Sequence, residues 1–215
     1  VTPARAARVL FVCLLIVVAV AVLTPLLGPT SLSLKKAFAG EWPDAQMYFG
    51  VRWPRTLLSL LAGGALALAG VLFQALLRDP LATPYTLGVS SGASLGAVAA
   101  ICLGLHSIAG LPALWLFALI GAGAVLFLVL ATAAEGRRVS SFTLLLAGVT
   151  VNSVVMSLIM LIHNMASVGQ SFAIVHWLMG NIDPVGAGTL VLMAAVVLPI
   201  SIGLCALARQ WNLLA

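Results

Sequence analysis

Acidic side chains are scarce in this chain. Asp and Glu number five among 215 residues, and only 7% of all residues carry a charge. Soluble domains carry about 25%, so the composition excludes a water-facing globule and points to an integral membrane protein. Glu41, Asp44, Asp79, Glu135 and Asp183 all lie in loops or at the ends of apolar runs. A proton-driven carrier needs an ionisable relay within the membrane, and none is offered. Lysine occurs only as Lys35 and Lys36. No G-x-x-x-x-G-K-[ST] loop can therefore be built, and ATP cannot be bound by that route. H-E-x-x-H and G-x-S-x-G are missing too, which removes the zincin and nucleophile-elbow chemistries. Cys13, Cys102 and Cys205 fall inside apolar runs. They form neither a disulfide framework nor a metal-ligand spacing, and they read as small buried hydrophobes. The net charge of +5 comes from scattered bases, not a stripe suited to nucleic acid. His106, His163 and His176 lie far apart near run ends. They read as satisfied interfacial side chains, or alternatively as ligands of a passing metal complex.

What the chain has in abundance is apolar length, 63% of it by residue type. A spanning helix needs about 20 apolar residues. Six runs meet that length, at residues 9–27, 56–77, 87–105, 111–134, 142–163 and 186–208. No long polar insertion divides them. The expected fold is all-α: a polytopic helical bundle of six transmembrane helices forming a single domain over residues 1–215. A shorter apolar stretch near 171–180 is expected as an interfacial helix, with Trp177 at headgroup level. The first run follows Arg5 and Arg8 but lacks a clear small-x-small cleavage site, so it reads as an uncleaved span. Only 30–51 and 164–185 are long enough to build structure outside the membrane.

Orientation follows the bases. With the N-terminus inside, Arg5, Arg8, Arg78, Arg137, Arg138 and Arg209 are cytoplasmic, and Lys35, Lys36, Arg52 and Arg55 are outside. The last two weaken the bias, so an outer arginine pair is expected to serve a purpose. Small or polar residues mark particular faces. Ser59, Gly63, Ala67, Gly70 and Gln74 share one side of the second span. Gly88, Gly92, Gly96, Ala100 and Gly104 recur at every fourth residue of the third. Gly63, Gly70, Gly88, Gly92 and Gly96 are the expected helix-packing positions, because small residues let backbones approach in lipid. In the fifth span Asn152, Ser153 and Ser157 stand among Val, Leu and Met. Asn152 either bonds a neighbouring helix or lines a pathway; Gln74 and Ser153 are further candidates for a pathway lining. Pro199 reads as a tolerated kink in the sixth span.

Several motifs occur in order: Arg52-Trp53-Pro54-Arg55, then the small-residue run from Gly63 to Gly70 followed by Gln74, then Asp79-Pro80-Leu81-Ala82-Thr83-Pro84. Leu87-Gly88 with Ser90-Ser91-Gly92-Ala93, Leu145-Leu146-Ala147-Gly148 and Trp177-Leu178-Met179-Gly180 follow. Together they resemble the FecCD family, the permease subunits of bacterial ABC importers for iron-siderophores, haem and cobalamin. The resemblance implies a transport subunit, not an enzyme, in the bacterial cytoplasmic (inner) membrane. It implies a periplasmic or lipid-anchored substrate-binding protein, cytoplasmic ATPase subunits and a second permease copy or relative as partners, with membrane lipid around them and no nucleic acid. ATP and Mg would then sit on the ATPase, with no cofactor or metal held by this chain.

The resemblance also implies roles for single residues. Arg52 and Arg55 resemble outer arginines that pair with acidic residues of the binding protein, and planar guanidinium groups suit carboxylates. Asp79, Pro80 and Leu81 resemble one part of the inner gate, Ser140 and Ser141 the other. The family usually has Asn where this chain has Asp79. Family members carry about ten spans in two related halves, so the chain is expected to correspond to the N-terminal part of such a permease. A secondary carrier independent of an ATPase, or a truncated relative without function, are the alternatives.

Overall fold

The computed structural model describes residues 3–28, 30, 33–80, 82–105, 107–108, 111–135, 138–139, 141–180, 182 and 185–207. Among the described residues, eight α-helices follow one another along the chain. They are α1 (Pro3–Leu23), α2 (Leu34–Phe38), α3 (Trp53–Leu77), α4 (Val89–Cys102), α5 (Ala113–Ala133), α6 (Ser141–Met165), α7 (Val168–Met179) and α8 (Ala187–Ala206). Two-residue antiparallel pairs close the turns between α4 and α5 and between α5 and α6. The protein is an all-α polytopic membrane protein. Five of its described helical stretches are long and apolar enough to cross a bilayer.

The third expected span is a helix, but a shorter one. At 14 residues α4 is about 21 Å long, against a hydrocarbon core of about 30 Å. Gly88 and Gly104, read as rungs of the glycine ladder, instead bracket the helix in left-handed backbone at φ 76° and 65°. That conformation costs glycine nothing and ends a right-handed helix. The expected interfacial segment is α7, and it begins earlier than the apolar pattern indicated, at Val168. Pro199 sits inside α8 without ending it.

The chain divides into two compact units. One holds α1, α2, the first half of α3 and α8. Its long helices expose apolar side chains along their length, such as Leu10, Phe11, Leu66 and Ile202. Such surfaces need lipid or protein around them. Pro25 opens a 3₁₀ turn (Thr24–Leu26) that ends α1. A π-helical stretch (Gln46–Arg52) leads straight into α3. Pro54, in the first turn of α3, has no N–H to give, which favours a change of hydrogen-bond register there. Tyr48 is buried, edge-on to Phe49 at 5.0 Å and to Trp53 at 6.3 Å between ring centroids.

The other unit holds the rest of α3 and α4 to α7. Its core gathers Leu87, Val98, Val125, Val129, Leu144, Val155, Ile159 and Ile174. The α4–α5 seam is a backbone-to-backbone approach. A Cβ on Gly92 would stand 2.5 Å from the Gly121 carbonyl oxygen, and one on Gly96 would overlap the Phe117 carbonyl. Likewise a Cβ on Gly148 of α6 would overlap the Thr86 carbonyl. Side chains between such helices would hold them apart, so glycine is what permits dense packing.

Candidate functional site

At the start of α3 the Arg52-Trp53-Pro54-Arg55 motif separates into two unequal arginines. Arg52 is partly buried and engaged through both terminal nitrogens. Its Nη1 donates to the Pro25 carbonyl at 3.1 Å and the Leu26 carbonyl at 3.4 Å. Its Nη2 donates to the Thr30 carbonyl at 2.8 Å and to Thr30 Oγ1 at 3.1 Å. Arg55 is exposed, and its guanidinium forms no ion pair or hydrogen bond among the described residues. Its carbonyl accepts from Ser59 Oγ at 2.8 Å, and the Arg52 carbonyl accepts from Thr56 Oγ1 at 2.9 Å. Both arginines line a cavity of about 410 Å³ together with Leu27, Met47, Val51 and Thr56. The lining thus combines apolar Leu27, Met47 and Val51 with two cations, a composition that can receive an acidic side chain or another anion.

At its other end α3 stops on Arg78, which takes left-handed backbone at φ 51°. The Asp79 carbonyl accepts from the Ala82 N–H at 3.1 Å, closing a turn across Pro80. Thr83 and Thr86 lock the loop that follows. The Thr83 N–H donates to Thr86 Oγ1 at 3.0 Å, and the Thr86 N–H donates to Thr83 Oγ1 at 3.1 Å. Thr86 Oγ1 donates in turn to the Thr83 carbonyl at 2.8 Å. Ala82 and Leu87 are fully buried on either side, so the loop is anchored in the core while Pro80 stays exposed. Leu81 and Ser140 lie outside the described residues, and Ser141 is the first residue of α6.

The three candidate lining residues are placed differently. Gln74 is exposed on α3. Ser153 is exposed on α6, and its hydroxyl donates back to the Val149 carbonyl at 3.0 Å. Asn152 turns inward, and its Oδ1 is buried without a hydrogen-bond partner among the described residues. His163 Nε2, on the same helix, is in the same condition, so the satisfied-histidine reading fails there. His176 stacks on Phe172 at 6.3 Å, and His106 lies outside the described residues. Of the expected packing glycines, Gly88, Gly92 and Gly96 meet neighbours. Gly63 and Gly70 have no described atom within 4 Å of the point where a methyl group would stand.

Sequence reasoning missed two clamps. Gln170 Nε2 donates to the carbonyls of Cys102 at 3.1 Å and Ile101 at 3.5 Å, tying the first turn of α7 to the end of α4. Its Oε1 accepts from the Ser167 N–H at 3.0 Å, completing a capping box. The Ser167-x-x-Gln170 spacing was the available signal. The Arg52 clamp had no comparable signal, because its partners lie 22 to 27 residues upstream.

The model of the FecCD transport family matches residues 10–215. Among similar proteins, the uncharacterized ABC transporter permease protein YvrB of Bacillus subtilis strain 168 is 42% identical over 182 residues, covering 80% of this chain and 50% of that protein. The vitamin B12 import system permease protein BtuC of Klebsiella pneumoniae is 38% identical over 179 residues, covering 82% of this chain and 53% of that protein. A solved structure assigned as a metal-chelate type ABC transporter, in an inward-facing conformation, matches with a TM-score of 0.78 at 30% identity. It covers 97% of this chain and 63% of the other. The chain spans about half the length of the curated relatives it matches.

Proposed function

The chain belongs to the FecCD transport family, and we propose from that membership that it acts as a permease subunit of a binding-protein-dependent ABC importer. The family match over residues 10–215 carries the reading. The exposed Arg55 beside the α1–α3 cavity, and the threonine-locked loop after α3, support it. The cargo class is an iron chelate, haem or cobalamin. The partners are a substrate-binding protein outside, ATPase subunits inside and a second permease subunit. ATP and Mg belong to the ATPase in this reading, and the chain holds no cofactor. The subunit lies in the bacterial inner membrane with its N-terminus in the cytoplasm.

In this mechanism acidic residues of the binding protein meet the Arg52–Arg55 end of α3, where bidentate guanidinium–carboxylate pairs set the docked orientation. The loop at Asp79, Pro80 and Leu81, with Ser140 and Ser141, forms the inner gate. Asn152, Ser153 and Gln74 line the path. A locked loop suits a gate, since it moves as one piece instead of fraying. The absence of mid-span carboxylates leaves energy input to a partner.

The test is uptake into proteoliposomes holding the natural permease with its binding protein and ATPase. Radiolabelled cyanocobalamin, haem and a ferric hydroxamate serve as the three cargo probes. Uptake of one of them, dependent on ATP and indifferent to a collapsed proton gradient, is expected. Uptake that persists without the ATPase would replace the importer with a secondary carrier.

A further inference from the structure

We infer that the two motif arginines divide their labour: Arg52 is a positioning residue that braces the turn after α1, and Arg55 is the cation presented to an acidic partner. This division rests on the docking reading above and refines it. The carbonyls of Pro25 and Leu26 belong to the 3₁₀ turn (Thr24–Leu26) that ends α1. Carbonyls at a helix end lack intrahelical donors and carry the negative end of the dipole. The Arg52 guanidinium meets both of them and reaches the Thr30 carbonyl with its other nitrogen. Only a planar fork with several fixed donors can serve acceptors so spread out; a lysine ammonium is a single point.

The backbone is shaped to this guanidinium. A Cβ on Gly28 would stand 2.7 Å from Arg52 Nη2 and 2.8 Å from Cζ. Any larger side chain at Gly28 therefore pushes the guanidinium off its acceptors. A carboxylate arriving from outside would likewise gain Arg52 only by breaking charge-assisted bonds already made, and would leave carbonyls unpaired. Arg55 asks for no such exchange. It lines the same cavity, exposed, with its guanidinium uncommitted among the described residues. Because Arg52 holds the turn that forms the cavity wall at Leu27, Gly28 and Thr30, it acts on docking through the ground on which Arg55 stands.

The test is timed labelling with phenylglyoxal, an arginine-selective dicarbonyl, on the natural permease in membranes, read by peptide mass spectrometry. Arg55 is expected to react about tenfold faster than Arg52 or more, because Arg52 must first leave its acceptors. In Gly28→Ala the Arg52 rate is expected to rise about fivefold or more. Equal wild-type rates, or a faster Arg52, overturn the brace. Melting supplies the second readout: Arg52→Lys is expected to lower the midpoint by about 5 °C and Arg55→Lys to leave it in place. An unchanged midpoint in Arg52→Lys also overturns it. Both readouts are independent of any partner. Unequal labelling together with binding-protein affinity that ignores Arg55→Glu would overturn the docking reading and leave the Arg52 brace standing. Equal labelling with docking lost in Arg55→Glu would do the reverse.

Discussion

Gly96 of α4 lies against the main chain of Phe117 in α5 so closely that a methyl group on Gly96 would overlap the Phe117 carbonyl. The obstacle is backbone, which cannot turn aside as the tip of a side chain can. Gly96→Ala must therefore separate α4 from α5. The cost is expected on the order of 3 kcal/mol, the upper end for overpacking a tight core. Gly63→Ala has no described atom in its way and is expected to be neutral or to gain slightly through helix propensity. Melting of the two variants in detergent checks the contrast. A Gly63→Ala loss as large as that of Gly96→Ala would show that size alone does not separate these glycines.

The glycine spacing shows what a sequence does and does not disclose. Gly88, Gly92 and Gly96 were legible as a packing edge from their period of four. What they pack against was not, because Gly121, which Gly92 and Gly96 meet, lies 25 to 29 residues further on and has no period of its own. The apolar runs located every long helix, yet they overstated α4, since apolar length says nothing of left-handed backbone at Gly88 and Gly104. The arginine pair was legible as a pair. Its inequality was not, because it depends on where the carbonyls of Pro25, Leu26 and Thr30 stand in space.

Gln170 joins two helices through both ends of its amide. Gln170→Leu removes the donor to Ile101 and Cys102 and the acceptor for Ser167, with an expected loss of about 2 kcal/mol. Gln170→Glu keeps the acceptor but sets a carboxylate against two carbonyls. It is expected to destabilise at least as much as Gln170→Leu at neutral pH. Ser167→Ala removes only the serine half of the cap and is expected to cost about 1 kcal/mol. The order of the three melting midpoints is the check, and a Gln170→Glu variant as stable as the parent would refute the link to α4.

Thr86 is the centre of the loop lock, and Thr83 is the lesser partner. Thr86 Oγ1 both donates to the Thr83 carbonyl and accepts the Thr83 N–H, whereas Thr83 Oγ1 accepts the Thr86 N–H. Thr86→Val is expected to cost about 2 kcal/mol and Thr83→Val about 1 kcal/mol. Amide exchange across residues 79–87 should quicken more in Thr86→Val. Thr86→Ser keeps every bond and should exchange as the parent does; quickening there to the level of Thr86→Val would shift the cause from the hydroxyl to the methyl group.

Asn152 separates stability from transport. A buried polar atom without a partner costs about 1–3 kcal/mol relative to a satisfied one, and Asn152 Oδ1 is such an atom among the described residues. If its use is structural, Asn152→Leu removes a liability and nothing else. If it faces the path of a polar cargo, the same change also removes a group that the cargo meets. The expected outcome is a melting midpoint equal to or above that of the parent, with ATP-dependent uptake reduced about tenfold, the worth of a hydrogen bond made only with the cargo. Asn152→Asp provides the complementary arm, since a carboxylate beside Val151 and Val155 is costly to bury and should lower the midpoint. Uptake unchanged in Asn152→Leu would remove this side chain from the path and leave it a tolerated defect of the α6 core.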